Sequence, residues 1–213
     1  VRNDTELQLN DAEIRVQVAV IADGHFSTDS KRCVIRLKKY RKIVRLISLL
    51  KAADIEYRET VCGGDPEFLV YTFHAPTHDK HFADHWWQAS QSQLEVIASE
   101  LPHWDSSISS RPSAGIRFSS FSEKSAQFAQ YAFAAAKHPT SLSFSARDRR
   151  SEDRGVMIEY TVHARAADVM VGPGRADSVF PVANPEGFKY CFEVPTSFLL
   201  LRHNGYIFAT GNT

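Results

Sequence analysis

The chain has 213 residues, of which 43% are hydrophobic and 23% charged, and its 25 Lys and Arg balance 25 Asp and Glu. This composition is typical of a globular protein with one large or two small domains. It excludes a wholly basic nucleic-acid binder and, since the apolar runs are short, a membrane span, but it allows a local basic face.

The first predicted unit is a helix, a strand, a second helix and a second strand. The first helix starts at Asp11, a residue type that caps helices, and runs into QVAVIADGHF (Gln17–Phe26). Strands are predicted at Val34–Lys38 and Ile55–Glu59. The helix between them has apolar residues at helical spacing, namely Ile43, Leu46, Ile47, Leu49 and Leu50.

The second predicted unit repeats this order. Its first helix starts near Ser92 and ends in LPHWDSSI (Leu101–Ile108); a strand at Gly115–Ser119, a helix from about Lys124 to Ala136 and a strand at Ser141–Ser145 follow. The two repeats, about 11–60 and 92–145, indicate a pseudo-twofold domain. Residues 61–91 are interpreted as a connection, and the spacing of its four histidines does not favour a metal site.

Gln17–Phe26 resembles the LAGLIDADG motif of homing endonucleases, and Leu101–Ile108 resembles a diverged second copy. The resemblance covers about residues 1–165 and implies an α+β fold of two αββαββα-like halves. A LAGLIDADG endonuclease domain is therefore expected over residues 1–171.

This resemblance implies that each motif helix ends in one acidic residue, Asp23 in the first copy and Asp105 in the second. Two carboxylates at neighbouring helix ends are suited to hold Mg²⁺ for phosphodiester hydrolysis. The alternative is that each Asp only begins a turn.

DNA is expected to lie across the strands of both units. Strand alternation places Arg36 and Lys38 opposite Ile35 and Leu37. Further candidates for phosphate or base contacts are Arg117, taken as the second-copy equivalent, and a basic cluster that includes Arg147 and Arg149. The alternative is solvated surface charge.

Three positions depart from the family pattern. Ser106 stands where Gly is usual, and Asp54 and Lys137 follow the two long helices where a left-handed Gly is expected. A non-glycine residue in that conformation costs about 1 kcal/mol. These departures favour a decaying nuclease, although both acidic residues are present.

The C-terminal part is predicted to be strands with a hairpin turn. Strands are expected at Tyr190–Val194, Phe198–Leu201 and Tyr206–Thr210, with a turn at Asn204-Gly205. The stretch from Gly187 resembles the last two conserved blocks of inteins, which implies a C-terminal splicing (Hint) region over residues 172–213 that includes one residue of the host protein.

Asn212 and Thr213 have the form of a splice junction, because an Asn side chain can cyclise and cleave the following bond while a hydroxyl accepts the acyl group. Cys191 and Thr210 stand where a third class of inteins has a nucleophilic Cys and a Thr. Splicing needs no cofactor, but it requires an N-terminal intein fragment, which this chain lacks. The alternatives are a frayed tail and a buried core cysteine.

The leading hypothesis is an intein segment with an inserted, metal-dependent DNA endonuclease domain. Its expected partners are double-stranded DNA, the missing intein fragment and the host-protein flanks. The alternatives are a free-standing LAGLIDADG endonuclease or maturase-like protein without splicing, and a non-catalytic DNA-binding module. Three cysteines without zinc or disulfide spacing suit a reducing cytosol, so a cytoplasmic protein is predicted. A bacterial or phage host cell is expected.

Overall fold

The structure is a computed structural model that describes residues 6–27, 32–104, 106–108, 115–148, 155–165, 183, 185–188, 194 and 198–211. Over these residues the protein has a mixed α+β fold with two antiparallel sheets. The boundary predicted at residue 171 lies outside the described residues, so the division into two domains stays a prediction.

The first half contains two helices and a four-stranded sheet. In chain order these are α1 (Asp11–Asp23), β1 (Gly24–Phe26), β2 (Arg32–Leu37), α2 (Tyr40–Ala52), β3 (Tyr57–Val61) and β4 (Leu69–His74). The strands pair in the order β1-β2-β4-β3. A short 3₁₀ helix, Asp84–Gln88, lies in the connection to the second half.

The second half repeats this arrangement. It contains α3 (Gln91–Glu100), a 3₁₀ turn (Leu101–His103), β5 (Ser106–Ile108), β6 (Ile116–Ser120), α4 (Glu123–Ala135), β7 (Thr140–Asp148) and β8 (Val156–Ala164). Its strands pair in the order β5-β6-β8-β7, which is the first order with each strand replaced by its counterpart. The pseudo-twofold repeat predicted from the sequence is therefore present in the topology of both sheets.

The ends of α2 and α4 are alike in detail. Asp54 has φ 53° and Lys137 has φ 67°, so both predicted left-handed positions are confirmed. The same main-chain bond closes both ends, from Ile55 to Leu50 and from His138 to Phe133, each at 2.9 Å. Two non-glycine residues thus adopt the conformation that glycine favours, at corresponding points of the two halves.

The two halves meet along α1 and α3, which pack against each other. Val16, Val18, Ala19 and Val20 of α1 are all fully buried, as expected for a helix in the centre of a fold. The cap of α1 is Asn10, whose side chain accepts hydrogen bonds from Ala12 and Glu13; the prediction of Asp11 is wrong by one residue.

Gly24 begins β1 immediately after α1, where the strand passes close to two neighbours. A Cβ at this position would lie 2.8 Å from both the Cys33 Sγ and the Val20 carbonyl oxygen. This close approach explains a glycine directly after Asp23, because any side chain would push β1 away from the helix end.

A C-terminal hairpin extends the second sheet. Strands β9 (Phe198–His203) and β10 (Tyr206–Gly211) pair with each other, and β10 continues the sheet beside β7. Asn204 and Gly205 have φ 47° and 78°, which confirms the predicted turn. The predicted strand at 190–194 lies almost wholly outside the described residues.

The hairpin is fixed to the second half by its turn. The Gly205 carbonyl accepts hydrogen bonds from the Leu142 amide and the Gln130 side chain, both at 2.7 Å. Arg202 Nη2 donates to the Gln127 carbonyl of α4 at 2.9 Å. In the described residues these strands thus form part of the second sheet, whereas the sequence predicted them as part of a separate splicing fold.

Candidate nucleic-acid interface

The left-handed residues that follow α2 and α4 define which residues of the two halves correspond. Asp54 lies nineteen positions after Ile35, and Lys137 lies nineteen positions after Phe118. The register agrees, because Ile35 pairs with Gly24 at the start of β1 and Phe118 pairs with Ser106 at the start of β5. From β2 through the start of β3, each position of the first half therefore has a defined counterpart in the second half, 83 residues further along the chain.

The outer surface of the first sheet, called here the first face, is basic. The inner residues Cys33, Ile35, Leu37, Tyr71 and Phe73 are buried in the core, so strand alternation assigns their neighbours to the opposite side. The first face consists of His25, Arg32, Val34, Arg36, Arg58, Thr60, Val70, Thr72 and His74. Three arginines and two histidines occur among these nine residues, and no carboxylate does.

The corresponding surface of the second sheet, the second face, is rich in hydroxyl groups. It consists of Arg117, Ser119, Ser141, Ser143, Ser145, Arg147, Met157, Glu159, Thr161 and His163. Ser119 and Ser141 are the counterparts of Arg36 and Arg58. The second face therefore has fewer basic residues than the first.

The register corrects one prediction. Arg117 was expected to correspond to Arg36, but it is the counterpart of Val34, and Ser119 takes the place of Arg36. Arg117 is nevertheless exposed on the outer side of β6, as a DNA contact requires.

Arg36 and Lys38 lie together beside Phe68. The Arg36 Cζ lies 5.2 Å and the Lys38 Nζ 5.9 Å from the centre of the Phe68 ring. Arg36 also donates a hydrogen bond to Cys62 Sγ at 3.0 Å, and Lys38 forms an exposed ion pair with Glu67. Both basic residues are exposed, and Ile35 and Leu37 are buried, as the alternation predicted; their role in DNA binding stays a prediction.

Arg147 is less available to a ligand than the arginines of the first face. Its Nε lies 2.5 Å from the Glu159 carboxylate, so part of its charge is balanced within the protein. Arg149 lies outside the described residues. Burial, together with the nearby Arg117 and Arg165, lowers the pKa of His163, so the histidine of the second face is harder to protonate than a free histidine.

The predicted catalytic residue Asp23 is the last residue of α1 and forms an ion pair with Lys42 of α2. The two side chains are only 22% and 10% exposed. The Lys42 Nζ also lies 5.7 Å from the centre of the Trp104 ring. Asp105, the predicted partner of Asp23, lies outside the described residues, so the pairing of the two carboxylates stays a prediction.

A second lysine, Lys80, stands at the same helix end. Its Nζ donates to the carbonyls of Val20, Ile21 and Ala22 at 3.0, 2.6 and 3.3 Å. An ammonium group at a helix C-terminus satisfies unpaired carbonyls and interacts favourably with the helix dipole.

The donor set described at this helix end does not fit Mg²⁺. Mg²⁺ requires oxygen ligands at short distances, and here the Asp23 carboxylate is bound by one ammonium group and the three C-terminal carbonyls by another. Among the described residues no three His, Cys, Asp or Glu side chains are grouped as metal ligands. The described part of the helix end therefore supports no catalytic step through a metal ion.

A cavity of about 1090 Å³ lies between α1 and the second face. Its lining includes Lys39, Arg41, Lys42, Lys80, His81, Arg117 and Arg147, with Glu159 as an acidic residue. Positive charge therefore collects at the junction of the two halves, although the chain as a whole is neutral.

A buried ionic network joins the halves behind this cavity. Glu100 of α3 is fully buried and accepts hydrogen bonds from Arg15 of α1, Arg45 of α2 and Trp104 Nε1. Burial alone would raise the pKa of Glu100, but the hydrogen bonds from Arg45, Trp104 and Arg15 outweigh it and hold the pKa below its ordinary value. Trp104, which contacts Lys42, is thus held by this network.

Sequence reasoning missed Lys42, Lys80 and Glu100. A signal existed for Lys42, because it lies on the buried stripe of α2 with Leu46, Leu49 and Leu50, where a charged residue needs a partner. Lys80 lies in a loop whose path the sequence pattern does not reveal.

Of the four predicted splicing residues, the structure describes only Thr210. Cys191, Asn212 and Thr213 lie outside the described residues. Thr210 lies in β10, opposite Leu199 of β9. Splicing, its class and its partner fragments stay predictions from the sequence.

Two histidines of the connection contact other side chains of the protein. The rings of His78 and Phe26 lie 4.5 Å apart, and His85 Nε2 lies 3.1 Å from the Asp79 carboxylate. Cys33 is buried, which raises its thiol pKa to about 12.

Among the described residues no helix is long and apolar enough to cross a membrane.

No protein-family model matches the chain, and no curated protein matches it. Its structural neighbours are proteins with LAGLIDADG domains. Full-length DUF199/WhiA from Thermatoga maritima matches at 10% identity and a TM-score of 0.48, over 75% of this chain and 53% of that one, so the match spans about half of the full-length protein. The N-terminal LAGLIDADG domain of DUF199/WhiA matches at 11% identity and a TM-score of 0.48, over 73% of this chain and 76% of that one.

A third match is the homing endonuclease I-DmoI, at 11% identity and a TM-score of 0.48, over 72% of this chain and 88% of that one. That structure is of a variant in complex with its target DNA in the presence of Mg. None of these three structures is described as an intein. The predicted Hint region therefore has no support from them.

Proposed function

We propose that the chain binds double-stranded DNA across the outer faces of its two sheets, as a free-standing nucleic-acid-binding protein. The first face carries the proposal, because it presents Arg32, Arg36 and Arg58 on one antiparallel surface without a carboxylate among its nine residues. Phosphate contacts of this kind supply most non-specific affinity for DNA and orient a protein on the duplex.

The cavity between the halves supports the same proposal. Its lining combines Arg117, Ser119 and Arg147 of the second face with residues of α1 and with Lys39, which follows β2 in the first half, so one stretch of duplex can contact both halves. Ser119, Ser141 and Ser143 then offer hydroxyl groups that hydrogen-bond either phosphates or base edges. Hydrolysis of that DNA at Asp23 and Asp105, and splicing at Asn212 and Thr213, are finer predictions that this proposal does not require.

The test is a fluorescence anisotropy titration of labelled duplex DNA at several salt concentrations. Replacement of Arg32, Arg36 and Arg58 by Gln should lower the affinity by about a hundredfold and make the salt dependence shallower by about three in log–log slope, since about 0.9 counterion is released per phosphate contact. A matched control replaces the exposed Lys51, Lys124 and Lys137 by Gln, which removes the same charge from elsewhere.

The control should bind as the wild type does. Equal losses in both triple variants would show that only overall charge matters and would contradict a specific basic face. Unchanged binding in the arginine variant would contradict the proposal outright.

A further inference from the structure

We propose that Lys42 replaces the divalent cation at the end of α1, so that this site is neutralised by the protein itself and DNA binding needs no metal. The part of this proposal that concerns DNA rests on the proposed function. The part that concerns the site rests on the contacts of Lys42 and Lys80.

The ammonium group of Lys42 is fixed where it lies. Lys42 is 9% exposed and belongs to the buried stripe of α2 with Leu46 and Leu49, so its chain leaves the helix towards the core. Its Nζ reaches the Asp23 carboxylate and the face of the Trp104 ring. Both partners favour a cation at this point, one by charge and the other by its ring electrons.

Helix packing by itself does not require a lysine here. The counterpart of Lys42 in α4 is Ser125, which is also buried and whose hydroxyl accepts a hydrogen bond from the Phe82 amide at 3.1 Å. The same place in the repeat is thus filled without charge in the second half. The lysine is explained by its contact with Asp23.

Lys80 adds a second positive charge at the same helix end. The ammonium group of Lys80 occupies the carbonyls of Val20, Ile21 and Ala22, the three residues that precede Asp23. A divalent ion at Asp23 would meet two ammonium groups and would have to displace at least one from its oxygen ligands. Like charges in a partly buried site repel strongly, so the fixed lysines disfavour the ion.

The experiment uses Tb³⁺, a hard cation whose luminescence is excited through nearby tryptophan, and the full chain. The wild type should show no Tb³⁺ signal that depends on Asp23, which is tested against Asp23→Asn. Lys42→Met keeps the length of the side chain without its charge and should bind Tb³⁺ at least tenfold more tightly. Adding Asp23→Asn to Lys42→Met should remove that gain.

A matched control is Lys51→Met, which removes an exposed charge from the last turn of the same helix and should leave Tb³⁺ binding unchanged. Circular dichroism reports whether Lys42→Met folds. If it does not fold, the comparison of the wild type with Asp23→Asn still tests the proposal. A Tb³⁺ signal in the wild type that is lost in Asp23→Asn overturns it. A folded Lys42→Met without any gain in Tb³⁺ affinity overturns it as well.

Duplex binding measured in EDTA and in Mg²⁺ separates this proposal from the proposed function. Equal affinity in both supports it, and an affinity more than tenfold higher in Mg²⁺ overturns it. If the protein binds no duplex in either condition, the proposed function fails, while the Tb³⁺ titrations still test the role of Lys42.

Discussion

The two sheets share one backbone plan but differ in the chemistry of their outer faces. The first four strands of the second sheet follow the order of the first sheet, and both long helices end in a left-handed residue closed by the same hydrogen bond. Yet Arg36 and Arg58 of the first face are replaced by Ser119 and Ser141 in the second. Core packing constrains the shared features, whereas the outer side of a half-buried sheet is free to change.

This difference predicts a DNA-binding surface with unequal halves. Arginines bind phosphates strongly and extend their charge into solvent, while serines contribute only short-range hydrogen bonds. The second face also balances Arg147 internally with Glu159. The first half should therefore supply most of the affinity and the second half should adjust orientation.

The largest effect is expected on the stability of the fold, when the contact between the two halves is weakened. Glu100→Ala removes the buried acceptor that joins α1 and α2 to α3 and leaves Arg15 and Arg45 without this ionic partner. We expect a loss of about 3 to 5 kcal/mol in the free energy of unfolding, measured by urea denaturation. Glu95→Ala, an exposed change on the same helix, should cost less than about 0.5 kcal/mol; an equal loss would show that the network does not hold the halves together.

The same carboxyl group predicts a pH dependence. The pKa of Glu100 is lower in the folded protein than its ordinary value of 4.5, so the unfolded chain takes up the proton first. The stabilisation from Glu100 is complete above about pH 4.5 and is lost as the pH falls through the lowered pKa. The Glu100→Ala variant should be less stable than the wild type at neutral pH, and its free energy of unfolding should fall less steeply as the pH is lowered. Parallel curves of unfolding free energy against pH for the two proteins would contradict this assignment.

Exchanging residues between the faces is the sharpest test of the unequal halves. Arg36→Ser with Arg58→Ser should weaken duplex binding by about tenfold to a hundredfold and reduce the salt slope by about two. Ser119→Arg with Ser141→Arg should strengthen binding by a similar factor. Anisotropy titrations at several salt concentrations measure both, and a gain from the first pair or a loss from the second would reverse the assignment.

A smaller gain is expected when Arg147 is released from its partner. Glu159→Gln removes a negative charge from the second face and frees the Arg147 guanidinium, so duplex affinity should rise a few-fold. The exposed Glu95→Gln removes the same charge elsewhere and serves as the control. If both variants gain equally, net charge accounts for the effect and the ion pair does not.

The smallest effect is the titration of His163. Its pKa is lowered by burial and by Arg117 and Arg165, so it becomes charged only on acidification below its ordinary value of 6.5. Duplex affinity should rise slightly as the pH falls through this range, and the rise should be smaller in His163→Gln than in the wild type. His203→Gln, which changes an exposed histidine of the hairpin, should leave the pH profile as in the wild type.

The helices and several strands followed from sequence patterns, and so did the left-handed residues. Apolar spacing located α2 and α4, and the missing glycines after them were recognised at Asp54 and Lys137. Strands β1, β4, β5 and β8 were not identified. β1 and β5 are short and follow directly on from helix ends, and β4 lies in a histidine-rich segment that was interpreted as a connection.

By itself the sequence determined the repeat, the helices that close each unit and the hairpin turn, because these depend on local spacing and on backbone conformation. Only the tertiary structure decided that Lys42 meets Asp23, that Ser119 and not Arg117 is the counterpart of Arg36, and that the C-terminal strands join the second sheet. Such facts depend on register and on contacts between residues distant in the chain, and a shift of one residue in register reverses which face a side chain occupies.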